Sequence, residues 1–166
     1  NTELLFEFYN IYKAQTPKEQ TEPFESFSKW AQILLQDFNE IDRYLINPKT
    51  IFGNLSAIKE INHWSLEKTQ TPLIKNYLIF WKRLFTYYSC LSEELIKKDK
   101  GYQGLIYREA VENLEEYIQF NPNTLHIFIG FNALNNSESV IIQELLQNGL
   151  ASIYWDIDQV FLSNVN

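Results

Sequence analysis

The residues best suited to chemistry in this 166-residue chain are Asp156, Asp158 and Gln159, which follow a short apolar run. Two carboxylates and an amide at the carboxyl end of a strand could hold a hard cation such as Mg²⁺, or position a phosphate. Ligands of α/β sheets bind at that end. The structural alternative is that these groups solvate the strand end and cap the segment 158–161. The preceding apolar run ends in Gly130, Phe131 and Asn132, which supply no carboxylate.

Other reactive side chains lack partners at useful spacing. His63 and His126 are the only histidines, and neither has a second ligand at metal-binding distance in the sequence. His126 lies in a bulky apolar run and reads as a packed, hydrogen-bonded histidine; His63, beside Trp64, reads as a helix-end cap. Cys90 is the single cysteine, between Tyr88 and Leu91 on a helical stripe, and reads as inert. Glu93 with Glu94, and Glu115 with Glu116, are adjacent on helices and point about 100° apart, so neither pair can share a proton. Asp37 and Asp42 also diverge. There is no glycine-rich phosphate loop of either common type. Lys97, Lys98 and Lys100 close a long helix, where cations suit the negative end of the dipole; a small DNA-binding patch is the functional alternative.

These groups have to be placed by helices. Leu4, Leu5, Phe8, Ile11 and Tyr12 recur at helical spacing up to Pro17. A polar loop follows, and a second stripe runs from Phe27 through Trp30, Ala31, Leu34, Leu35, Phe38 and Ile41 to Leu45. Asn47-Pro48 predicts a cap and first turn for a third helix. Thr71-Pro72 predicts the start of the longest helix, with Leu84, Tyr88, Leu91 and Leu95 inward. Leu105, Ile106, Ala110, Leu114 and Ile118 trace another, giving a bundle of five helices over residues 1–120. The pattern then changes. Residues 125–129 predict a buried strand ending at Gly130, and Asn135 with Glu138 predicts a capping box. Gly149 predicts a left-handed helix stop, and 151–156 a second strand. Strand, helix and strand within about 35 residues make a βαβ unit. The expected fold is mainly α with a small α/β part: a helical bundle (1–120) followed by a βαβ unit (121–166) at the edge of a parallel sheet.

Composition narrows the setting. The net charge is −7 and the pI about 4.9, so no global basic field draws nucleic acid or anionic membrane. One cysteine excludes an intramolecular disulfide, and the expected location is the cytoplasm. No apolar run reaches a membrane span. The chain starts at Asn1 and contains no Met, and is read as a segment of a longer protein.

Three stretches resemble a degenerate, inactivated UvrD-like superfamily-one helicase region, of the kind found in the B subunit of AddAB-type helicase–nucleases with a PD-(D/E)XK nuclease domain. They are 27–31 running on through 34–42, with Trp30, Leu35, Phe38 and Asp42; 101–108, with Gly101, Tyr102, Gly104, Tyr107 and Arg108; and 128–134, with Gly130 and Phe131. In active members of that superfamily the first strand ends in an Asp-Glu pair serving Mg²⁺ and water activation. Gly130 and Phe131 stand at those positions here, so the metal site is degenerate. The next strand of such helicases ends in Gly-Asp-x-x-Gln; Asp156 and Gln159 match its Asp and Gln as a nucleotide-binding remnant, and Trp155 replaces its Gly.

The resemblance implies a non-catalytic scaffold segment of a protein that processes DNA double-strand ends in recombinational repair. It implies no cofactor in this segment and Mg²⁺ in a nuclease domain elsewhere in the parent. The implied partners are DNA, reached through the parent, and an ATP-hydrolysing helicase subunit, with no membrane. Two rival expectations stand beside it: a helical protein-interaction module without a DNA role, and a metal-dependent enzyme using Asp156 and Asp158.

Overall fold

A computed structural model describes residues 2–64, 72–131 and 133–156. Helix α1 (Thr2–Gln15) stops before Pro17, and a single 3₁₀ turn (Lys18–Gln20) crosses the polar loop. Helix α2 (Phe24–Arg43) starts after Pro23, whose carbonyl accepts the Ser26 and Phe27 amides. Helix α3 (Pro48–Trp64) begins as expected: the Asn47 Oδ1 accepts the Thr50 amide at 3.1 Å. Helix α4 (Pro72–Lys97) is the longest.

The expected fifth helix is two helices, α5 (Gln103–Glu112) and α6 (Leu114–Phe120). The bundle therefore has six α-helices among the described residues, not five. Asn113 makes the break: its backbone leaves the helical region (φ −102°, ψ 9°), and its side-chain amide donates to the Glu109 carbonyl at 2.8 Å. Asn readily forms such local bonds in competition with the helix.

The bundle core is aromatic. Phe8, Phe27, Phe38, Leu84, Tyr87 and Leu91 are fully buried where α1, α2 and α4 meet. Phe8 meets Phe27 edge-on at 5.2 Å, and Phe38 meets Tyr88 at 5.4 Å. Such pairs add about 0.5–1.5 kcal/mol beyond the area they bury. The aromatic stripes of the sequence are thus core, as their spacing indicates.

Strand β1 (His126–Phe131), helix α7 (Asn136–Gln147) and strand β2 (Ala151–Trp155) form the parallel βαβ unit. The fold is mainly α with a small α/β part. The capping box is present in both directions: Asn135 Oδ1 accepts the Glu138 amide, and Glu138 Oε2 accepts the Asn135 amide, each at 2.9 Å. Gly149 takes φ +70° at the helix stop. A small second core of Leu114, Leu145 and Leu150 joins α6 and α7 to one sheet face, with Ile118, Phe128 and Ile141 against it.

The expectation that 125–129 is a buried strand does not hold. Ile127 is 60% exposed and Ile129 71%, and Tyr154, the cross-strand partner of Ile129, is 61% exposed. Side chains alternate across a strand. The faces of Phe128 and Ala151 meet the helices, while the other face of the sheet stays open.

Candidate functional site

The carboxyl edge of the two strands was the first expectation. Gly130 and Phe131 end β1 there, and Asp156 directly follows β2, its amide donating to the Phe131 carbonyl at 3.2 Å. The structure thus brings Gly130, Phe131 and Asp156 together. Gly130 has φ +82° and is an extra residue in the ladder: Ile129 pairs with Tyr154 and Phe131 with Trp155. A bulge with a left-handed first residue calls for glycine. The bulge turns Phe131 to the helix-covered side, where its ring lies 6.2 Å from that of Phe128.

No metal site is built on this edge from the described residues. Asp156, which follows β2 at this edge, is exposed. No group of three or more His, Cys, Asp or Glu side chains converges among the described residues. Asp158 and Gln159 lie outside the described residues, as do Asn132 and the side chain of His63.

The N-terminus of a helix that follows a strand is the usual anion site of such a unit. In α7 the polar side chains at that end are engaged within the fold. The Asn135 side chain accepts the Glu138 amide and the Glu138 side chain accepts the Asn135 amide. Ser137, fully buried, donates from Oγ to the Arg43 carbonyl at 2.8 Å and to that of Asp42 at 3.3 Å. Asn136 donates to the Tyr44 carbonyl at 3.0 Å. Two consecutive polar residues of α7, Asn136 and Ser137, thus satisfy open carbonyls at the end of α2.

The densest polar cluster lies just beneath. Asp42 is 0% exposed, and its Oδ1 accepts the Arg108 Nε at 2.6 Å and the Tyr88 hydroxyl at 2.5 Å. Its Oδ2 accepts the Tyr102 hydroxyl at 2.6 Å. Arg108 also donates from Nη2 to the Ile41 and Ile46 carbonyls, at 3.0 and 2.8 Å. Burial, and then the Asp42 carboxylate, push both phenols far above their ordinary range. The carboxylate and both hydroxyl-bearing side chains are closed to solvent. They form a structural latch between α2, α4 and α5.

Backbone contact reinforces it. The Gly104 amide, in the first turn of α5, donates to Asn39 Oδ1 at 2.8 Å. A Cβ on Gly104 would stand 2.2 Å from the Asn39 carbonyl oxygen. Asn39 of α2 therefore caps α5 from outside, and only glycine allows the approach.

The remaining candidates resolve simply. His126 has its Nε2 3.1 Å from the Tyr117 hydroxyl and its ring against Phe128, a packed and hydrogen-bonded histidine. Burial, and then the charge of Glu93, raise the Cys90 thiol pKa, which leaves little reactive thiolate. Lys98 pairs with Glu7 at 2.8 Å and Glu94 at 3.2 Å, and Lys100 with Glu3 at 2.5 Å. Acids of α1 and α4 answer these lysines, so the DNA-patch alternative for them finds no support. An open groove of about 1140 Å³ lies between α1, α2 and the α4–α5 turn, with Glu3, Lys100, Asn39 and Ile106 in its walls.

Sequence reasoning missed the role of Asp42. The signal was available: Ala31, Leu35 and Phe38 lead at helical steps to Asp42, placing an acid on the apolar stripe. An acid there is buried with partners or not at all. Asp37, by contrast, is exposed.

Compared with family models, curated proteins and solved structures, the chain matches none. Among the described residues, no helix is long and apolar enough to cross a membrane.

Proposed function

We propose that this chain is a non-catalytic scaffold: the inactivated helicase-like segment of a DNA-end-processing helicase–nuclease acting in recombinational repair. The carrying observation is at the α7 N-terminus, where the Asn136 and Ser137 side chains are committed to carbonyls at the end of α2 and that of Asn135 to the Glu138 amide. The place where an α/β unit takes a phosphate is used to join the unit to the bundle. Gly130 and Phe131 offer Mg²⁺ no ligand side chain beside it. Asp156 is exposed, and among the described residues no cluster of carboxylates forms around it to make an ATPase centre.

The latch supports the same reading. The stretches 27–42 and 101–108, which carry the resemblance, meet through Asn39–Gly104 and Asp42–Arg108. The third, 128–134, leads directly into the α7 residues seated on the end of α2. On this reading the chain contributes no ATP hydrolysis. It holds an ATP-hydrolysing helicase subunit, while a Mg²⁺-dependent nuclease domain of the parent, in the cytoplasm, cuts DNA.

The open groove favours a second reading, a helical protein-interaction module without a DNA role. The exposed sheet face of Ile127, Ile129 and Tyr154 weighs against a stand-alone module, because parallel strands are ordinarily covered on both faces. The deciding experiment is on the parent protein: degradation of linear duplex DNA with Mg²⁺, with and without ATP, alone and with its helicase partner. Cutting by the parent, with ATP use supplied by the partner, supports the scaffold. Absence of DNA activity in every combination moves the reading to the interaction module.

A further inference from the structure

Charge is unevenly spread along this acidic chain. Residues 49–83, which span most of α3 and the first half of α4, contain six Lys or Arg against two acids, Glu60 and Glu67, a balance of +4. The rest of the chain carries eight Lys or Arg and nineteen acids, a balance of −11. The helical hairpin α3–α4 is therefore a basic element on an acidic body.

A small pocket opens between the same two helices. It measures about 270 Å³ and is lined by Phe52, Trp81 and Phe85, with Gly53, Lys49 and Lys82 around them. Phe52 is buried, Trp81 and Phe85 are half-buried, and both lysines are exposed. A side chain at Gly53 would meet nothing within 4 Å, so the mouth is open there. The volume is just under the roughly 300–1,000 Å³ of pockets for drug-sized ligands, and suits one flat ring system rather than a cofactor.

We propose that the α3–α4 hairpin binds single-stranded nucleic acid, with a base entering the Phe52–Trp81–Phe85 pocket and neighbouring phosphates meeting Lys49 and Lys82. Aromatic rings give a stacking surface for any base, and lysines neutralise the backbone. An acidic polypeptide would satisfy the lysines but has no obligatory flat ring for the pocket. The inference stands on charge and shape alone. Its failure would leave the scaffold reading untouched, because that reading requires no nucleic-acid contact within this segment.

The test uses the 166-residue chain and an oligodeoxythymidine of about a dozen nucleotides, within the span of single-strand sites. Binding is followed by tryptophan fluorescence and by filter retention across a salt series. The expected result is salt-dependent binding with quenching that Trp81→Phe diminishes. The double variant Lys49→Gln/Lys82→Gln should lower the slope of log K against log salt by roughly 1.4, about 0.7 for each single-strand phosphate that a lysine no longer neutralises. Lys18→Gln/Lys29→Gln, outside the hairpin, should leave the slope unchanged. Circular dichroism of each variant establishes that the helices are intact. No binding at low salt overturns the proposal, as does a slope that Lys49→Gln/Lys82→Gln leaves in place. Equal competition by polyglutamate assigns the surface to acidic polypeptide, and equal binding of duplex removes the base from the pocket; either result overturns it.

Discussion

Arg108 and Asp42, 66 residues apart in the chain, meet at 2.6 Å, with the carboxylate fully buried and the arginine side chain 14% exposed. The guanidinium also closes two backbone carbonyls at the end of α2. A buried pair is stable only when its remaining valences are filled, and here Tyr88 and Tyr102 fill them.

Removing one partner should therefore cost far more than an ordinary surface change. Arg108→Ala leaves the Asp42 charge unpaired and should destabilise the fold by about 3–5 kcal/mol. Arg108→Lys keeps the charge but loses the planar fork, and should fall between that variant and the native protein. Urea denaturation of the three proteins checks the order.

Gly104 sets how closely α5 approaches α2. Gly104→Ala places a methyl carbon 2.2 Å from the Asn39 carbonyl oxygen, so the helices must part. The expected loss is at or above the roughly 1–3 kcal/mol of overpacked cores. The Tyr102–Asp42 bond should weaken with it. Thermal unfolding measures the first effect. Near-ultraviolet dichroism of the tyrosines measures the second.

The phenols of Tyr88 and Tyr102 have pKa values raised above the ordinary 10.0, chiefly by burial. A group that holds its proton more tightly in the folded state contributes stability that is fully present below the unfolded pKa. That stability is lost as pH rises from about 10 toward the folded values. Tyr12 is shifted the same way. Absorbance titration at alkaline pH, followed together with helical dichroism, checks this. Tyr88 and Tyr102 should ionise only with loss of helical dichroism. Ionisation of Tyr88 and Tyr102 without unfolding would contradict the buried latch.

The two faces of the sheet should respond differently to substitution. Leu145→Ala empties the small core beneath the helix-covered face and should cost about 2–5 kcal/mol. Ile129→Ser lies on the open face and should stay within about 0.5 kcal/mol of the native protein. Denaturant midpoints of the two variants compare them directly.

The elements were readable because their signals are local. Asn47, the Asn135–Glu138 box and Gly149 act within four residues of the helix ends they define. The end of α2 was not. Leu45 takes φ 53°, a left-handed position without a glycine to announce it, and the partners around it come from Arg108, Asn136 and Ser137 far along the chain. The α5–α6 break at Asn113 hid in continuous apolar periodicity. The open sheet face was hidden too, because Ile127 and Ile129 are apolar whether or not anything covers them. Asp42 was readable as an acid on an apolar stripe, but its partners depend on how three helices meet.

The central claim is that this chain carries no nucleotide chemistry of its own. Its most direct test is calorimetric titration of Mg²⁺ and ATP into the 166-residue chain, with phosphate release measured in parallel. The account predicts no saturable heat and no release above buffer, with Asp156→Ala and Gln159→Ala indistinguishable from the native chain. Saturable ATP binding or hydrolysis that either substitution abolishes would contradict it.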